Sequence, residues 1–416
     1  MDAAVAAGSG RRDVKILSLI SVGHFMSHYF SLTLPPLFIY LREAFDVSYA
    51  ELGLMMTLSY GASAVVQVPV GFLVDRFGAK PVLTLGLTLL SLGYGLVGLA
   101  PVFWVVLLLT IIAGIGNSVF HPANYVILNS SISPGRMGRA FSIHTFAGHL
   151  GTAFAPVSMI LLSDLFGWRT ALLAAGLFGL MVMLALLTQW NSISEDAAAK
   201  GKKKEAGTAS AAAAGTKDGL ALLFSKPIVL FFLFFATLSM TSSGINAFAV
   251  TALVTLHGTP LAAASMALTV YLFCSATGIL LGGEISDRTR RHDVVAAIVF
   301  VLTVAFSLVL AWFDLPLALL VALMAIMGLG QGITRPARDM MLRATAPKGS
   351  VGKVFGFVSA GIMVGSTLAP IPFGYLLDIG RPEWVFYLIA IFMTIALFTV
   401  LTPKELVEKG GQQAKA

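Results

Sequence analysis

Two stretches of the 416-residue chain place polar side chains at helical spacing inside apolar sequence. Asn117, His121 and Asn124 stand at i, i+4 and i+7, one face of a helix. Gln331, Arg335 and Arg338 repeat that spacing 214 residues later. A guanidinium among apolar residues is costly unless it meets water, an acid or an anion. Asp339, four residues after Arg335 and next to Arg338, can neutralise one of the two. Two readings follow: an ion pair between helices, or a second guanidinium left to bind an anionic small molecule. Five of the seven histidines, His24, His28, His121, His144 and His149, lie in apolar runs of the first half. Imidazole titrates near neutral pH, so these residues and Asp339 suit proton coupling; a hydrogen-bonded structural role is the alternative for each. Tyr60, Gln67, Asn246 and Tyr271 are further candidate substrate contacts, or hydrogen bonds between helices.

The elements that carry these residues follow from composition. The set AVILMFWYC makes up 57% of the chain and charged residues 11%, against about 25% charged in soluble domains. That excludes soluble globular, disordered and disulfide-scaffold classes. The one cysteine, Cys274, sits in an apolar run, so neither a disulfide framework nor a zinc spacing is present. A spanning helix takes roughly 20 apolar residues, and the long continuous runs fit helices rather than barrel strands. Twelve spans are expected near 14–41, 51–74, 81–100, 102–129, 139–165, 168–190, 227–256, 261–285, 293–313, 316–343, 353–378 and 383–402. The first lacks a cleavage site at signal-peptide distance and reads as a span. The organisation is then a tail over 1–13, a six-helix bundle over 14–190 and a linker over 191–226. A second six-helix bundle over 227–403 and a tail over 404–416 follow. The linker is rich in Ala, Gly and Lys and reads as solvated.

With the N-terminus in the cytoplasm, every Lys and Arg falls in an inner segment except Arg42, Arg169 and Arg381 outside and Arg335 and Arg338 within a span. The positive-inside rule therefore puts both termini in the cytoplasm. The +7 net charge is spread over all the inner loops. A nucleic-acid footprint would gather it on one face, so no nucleic-acid partner is expected.

The halves repeat one another. Gly71-Phe-Leu-Val-Asp75-Arg76 returns as Gly283-Glu-Ile-Ser-Asp287-Arg288 after 212 residues. His121-Pro122-Ala123 matches Arg335-Pro336-Ala337, and Gly151, Ala155-Pro156 and Asp164 match Gly365, Ala369-Pro370 and Asp378, all at 214. Six spans per repeat give parallel halves, with substrate expected near the midplane between them, reached from each side in turn. The loop GFLVDRFGAKP at 71–81 and its weaker copy at 282–291 resemble the signature of the major facilitator superfamily of secondary transporters. The resemblance covers roughly 14–403 and implies an all-α integral membrane fold of twelve helices in two pseudo-twofold-related bundles. It implies a gating role for Gly71, Asp75, Arg76, Gly78, Lys80, Asp287 and Arg288, with the loop latched against the start of the eleventh span, near Ser350 to Lys353. Asp75 can accept from the free N–H groups of a helix N-terminus, and Gly78 permits a tight turn; charges that only set topology are the alternative.

AGIGNSVFHPANYVIL at 113–128 is similar to the Phe-His-Pro element of the fosmidomycin-resistance-like branch of drug exporters. That resemblance implies a proton antiporter in a bacterial inner membrane, exporting small, phosphonate-like organic anions or drugs, and a monomer. A proton symporter importing an organic anion uses the same fold and nearly the same residues. The fifth span, Gly148 to Pro156, departs from the superfamily's antiporter element, since Ala155 stands where a second Gly is usual. That leaves direction open. No metal or cofactor is called for, and the lack of HExxH, Walker and dinucleotide motifs argues against an enzyme or ATP drive.

Overall fold

The computed structural model describes residues 2–132, 136–189, 222–289, 291–345 and 351–413. Positions 190–221 of the expected linker, Ser350 in the expected latch and the last three residues lie outside them. Among the described residues all regular structure is helical. The first half holds α1 (Asp2–Ser31), α2 (Phe38–Phe45), α3 (Tyr49–Phe77), α4 (Ala79–Leu96), α5 (Phe103–Asn117), α6 (Phe120–Ser131), α7 (Met137–Phe166) and α8 (Trp168–Thr188). The second holds α9 (Lys226–Ser243), α10 (Ala249–His257), α11 (Leu261–Arg288), α12 (His292–Trp312), α13 (Leu317–Thr345), α14 (Val351–Leu368), α15 (Pro370–Asp378) and α16 (Glu383–Gln413).

Ten helical runs among the described residues are long and apolar enough to cross a membrane. The two arms of α3, bent by 53° between Gln67 and Pro69, make an eleventh. α1 occupies the remaining expected span, its apolarity diluted by Lys15, His24, His28 and its serines. Large apolar side chains such as Trp104 and Val65 stay exposed, as suits a lipid-facing surface.

The fourth span, Phe103–Ser131, is interrupted once in its hydrogen-bond ladder: α5 stops at Asn117 and α6 starts at Phe120. Pro122 has no N–H to give the Ser118 carbonyl, which opens the ladder there. Ser118 N–H still serves the Gly114 carbonyl at 3.2 Å and shares itself with that of Ile115 at 3.3 Å. Ser118 and Val119 keep right-handed helical backbone angles and Phe103–Ser131 remains one span, so Asn117, His121 and Asn124 keep their helical spacing across the break. A similar break at Ala369 separates α14 from α15, which begins at Pro370. Between α9 and α10 the chain makes a π turn, Gly244–Phe248, that carries Asn246.

The chain forms two compact units: residues 1–45 with 58–214, and residues 46–57 with 215–416. The first turns of α3 thus belong to the second unit. There, the Asp378 carboxylate accepts from the backbone N–H groups of Tyr49 and Ala50 at 2.7 and 2.8 Å. An anion at exposed N–H groups is well placed against the helix dipole.

Within lipid, helices associate through close packing rather than through the hydrophobic effect. Glycine makes that possible at equivalent places in the two units. A Cβ on Gly114 would lie 2.2 Å from the Ser59 carbonyl oxygen, and one on Gly328 2.0 Å from that of Tyr271. Gly151 abuts the Phe25 carbonyl at 2.2 Å and Gly365 the Ala236 carbonyl at 2.3 Å in the same sense. These contacts fix α7 on α1 and α13 on α11, the helices that carry the candidate residues.

Candidate functional sites in the two units

In the first unit α1, α6 and α7 bring the five histidines together. The rings of His24 and His144 stack with centroids 4.2 Å apart and planes 13° apart. His28 meets His24 edge-on at 4.6 Å, His121 does so at 5.8 Å, and His149 lies 5.8 Å from His28. His28 Nδ1 bonds to Thr152 Oγ1 at 3.2 Å. His24, His144 and Asn124 are buried, whereas His121 is exposed. Buried polar atoms without partners among the described residues gather on these helices and at the end of α5: Nδ1 of His24 and of His144, both amide atoms of Asn124, Oγ of Ser21 and, on α5, Oδ1 of Asn117. Such atoms in an apolar interior each cost about 1–3 kcal/mol, which in a membrane segment points to function.

Tyr60 and Gln67 lie on the part of α3 that belongs to the first unit, before its bend. Asp75 and Arg76 close α3, exposed, and Gly78 takes φ +90° in the turn to α4, as its reading requires. Lys80 opens α4. In the second unit Arg288 pairs with Glu284 one turn back on α11, and Asp287 stands beside it.

The second unit holds a cavity of about 270 Å³ lined by Phe235, Leu238, Ser239, Ser242, Gln331, Thr334, Arg335, Arg338, Ile362 and Ser366. All three members of the Gln331 stripe face it, on α13. Gln331 donates through Nε2 to Ser242 Oγ at 2.9 Å. Ser239 Oγ donates to the Ile362 carbonyl at 2.8 Å and lies 2.7 Å from Ser366 Oγ. The Arg338 guanidinium lies 4.3 Å from the centre of the Phe235 ring, and its Nε donates to Asp339 at 3.0 Å. Asp339 is therefore the local counter-charge of Arg338, and it is half exposed. Tyr271 and Asp339 lie within electrostatic reach of Arg335. Asn246 and Tyr271 do not line the cavity. Phe235 and Ser366 do, and sequence reasoning passed over both. The signal for Ser366 was its place one residue after Gly365 of the repeat, while a phenylalanine in an apolar run carries none. No group of three or more His, Cys, Asp or Glu among the described residues is arranged to hold a metal ion.

The family model of the Major Facilitator Superfamily matches residues 20–250 and again 232–416. The chain is 27% identical over 301 residues to the fosmidomycin resistance protein of Escherichia coli (strain K12), covering 70% of each. It is 24% identical over 361 residues to the multidrug resistance protein MdtH of Salmonella typhi, covering 82% of this chain and 84% of that one. A solved bacterial homolog of the human lysosomal transporter Spinster superposes with TM-score 0.71 at 15% identity, over 94% of both chains. The nucleoside transporter NupG does so with TM-score 0.72 at 17% identity, over 94% of this chain and 98% of the other. Repeat, loop signature, helical fold and both family matches agree that this multi-pass membrane protein belongs to the major facilitator superfamily of transporters.

Proposed function

We propose that the chain is a proton-coupled exporter of small organic anions or drugs, phosphonate-like ones included, working by proton antiport and alternating access from a bacterial inner membrane. The observation that carries this reading is the cavity of about 270 Å³ in the second unit, with two guanidinium groups and several hydroxyls on its wall. Arginine stays charged and offers a planar fork of donors that matches carboxylate, phosphate and phosphonate oxygens. Ser239, Ser242 and Gln331 add neutral donors at the same wall. The likeness to a fosmidomycin resistance protein supports a phosphonate as the first compound to try.

The test uses inside-out vesicles with an acid lumen. Adding fosmidomycin to vesicles that contain the chain should discharge the pH gradient as the compound accumulates, and a protonophore should abolish the accumulation. Transport that ignores the gradient refutes proton coupling. Accumulation that instead carries protons inward with the compound refutes antiport and selects symport.

A further inference from the structure

The histidine cluster is more than a set of independent candidates. His24 is its hub, within 5.8 Å, centroid to centroid, of three other rings and stacked on His144 at 4.2 Å. His24 and His144 are 5% and 6% exposed, and Nδ1 of each has no partner among the described residues. Gly148 lets α7 pass under the rings: a Cβ there would lie 2.7 Å from Cδ2 and Nε2 of His24 and 2.9 Å from Cδ2 of His28.

The charge that acts on His24 comes from within the cluster, from His28, His144, His121 and His149, and His121 acts on His144. Among the described side chains, the charged ones on the same and adjoining helices are Asp13 and Lys15 on α1, Lys80 on α4, Arg139 and Asp164 on α7, and Arg169 on α8. None of them is among the groups that act on His24 or His144, and Asp13 is held by Arg136 at 2.8 Å. α6 presents His121 and the amide of Asn124, and Tyr94 of α4 stacks on Phe30 instead. Among the described side chains no carboxylate is among the groups that act on His24 or His144, so a proton on this pair is carried by imidazole.

We infer that His24 and His144 form one proton-binding site, reached through His149 and His28, which holds a single proton at a time. Two imidazolium ions at 4.2 Å repel strongly in an apolar interior, whereas one imidazolium stacked on a neutral ring does not. The proton enters as a bond to an imidazole nitrogen lone pair and leaves by the reverse step, with no other bond changed.

The inference rests on the proton-coupled reading above, and two measurements separate their failures. In the full-length chain with 15N-labelled histidines in micelles, His24 and His144 should gain one proton between them in a shared step. His144→Asn should then shift the titration of His24. Independent titration of the two rings, or a pair that stays neutral while the chain is folded, overturns the inference without any substrate. In vesicles, His24→Gln and His144→Asn should lose gradient-driven fosmidomycin accumulation and keep fosmidomycin exchange across the membrane. Variants that accumulate like the parent chain overturn the inference as well. A parent chain indifferent to the gradient refutes proton coupling instead, and the titration still decides whether the pair binds one proton.

Discussion

Gly148→Ala is the sharpest probe of how the histidines are held. Its new methyl would lie 2.7 Å from two atoms of His24 and 2.9 Å from one of His28. Carbon contacts are optimal at about 3.5–4.0 Å, so the rings or α7 must move by roughly 1 Å. Overpacking of that kind costs about 1–3 kcal/mol, while alanine for glycine inside a helix returns about 0.8–1.0 kcal/mol. Gly356→Ala, on α14, supplies the reference because nothing lies within 4 Å of its Cβ. Subtracting one variant from the other removes the helix-propensity gain and leaves the overpacking term. At Gly151 the obstacle is the Phe25 carbonyl at 2.2 Å, backbone that no rotamer change can clear. The expected order of stability is Gly356→Ala, then Gly148→Ala lower by about 1–3 kcal/mol, then Gly151→Ala lowest. Reversible unfolding of the full chain in mixed micelles measures it. Should Gly148→Ala be stabilised as much as Gly356→Ala, the rings do not rest on the α7 backbone and the packing argument fails.

Three further outcomes follow from particular contacts. Arg338→Lys keeps the charge and loses both the planar stack on Phe235 and the fork of donors, so anion affinity should fall about 10- to 100-fold, from about 1.5–3 kcal/mol per charge-assisted bond; equal affinity by direct binding would remove Arg338 from the site. Asp378→Asn leaves one of the Tyr49 and Ala50 N–H groups without its acceptor and should cost about 1–3 kcal/mol. Asp164→Asn, which disturbs a bond of 3.3 Å to an exposed Tyr40 hydroxyl, should cost under about 1 kcal/mol; unfolding midpoints of the two variants compare them. A green fluorescent protein fused after Ala416 should fluoresce, and a periplasmic reporter at the same place should stay silent, if the C-terminus is cytoplasmic as the positive-inside rule leads one to expect.

The spans were legible because a bilayer imposes a length and an apolarity that any sequence must meet. The breaks within them were less so. Pro122 and Pro370 stand in the sequence as warnings, yet proline inside a spanning helix is often tolerated, so the interruption at Ser118–Val119 needed coordinates. The π turn at Gly244–Phe248 has no local signature at all. For the sites, residue type was readable and partnership was not. Composition put five histidines in three helices, but it is His144 on which His24 stacks, where Gly148 and Gly151 set the approach of α7 to α1. Asp339 lay equally within reach of both arginines by spacing, and geometry gives it to Arg338. Phe235 became a site residue only through the guanidinium over its ring.

The duplication kept the scaffold and let the chemistry diverge. Gly114 on Ser59 and Gly328 on Tyr271, like Gly151 on Phe25 and Gly365 on Ala236, are the same backbone contacts made twice. Upon that frame His121 faces Arg335 in the alignment of the repeats, and Asn124 faces Arg338. The exchange is not neutral. Arginine does not release its proton at any pH a cell reaches, so it serves as a fixed counter-charge and cannot relay protons. Histidine releases its proton readily and is a poor permanent anchor for an anion. A chain that kept histidines in both copies would lose its hold on an anion whenever they deprotonated. An arginine at position 121 would set a fixed positive charge beside His24, from which the His121 ring lies 5.8 Å centroid to centroid, and would disfavour a proton on the His24–His144 pair. On the proposed function, placing titratable rings in one copy and fixed cations in the other meets both needs within a single duplicated frame. His121→Arg, which restores the second unit's residue to the first, should therefore abolish gradient-driven transport even where the chain folds and exchanges substrate. If that variant still couples to the gradient, the division of labour between the two copies is wrong.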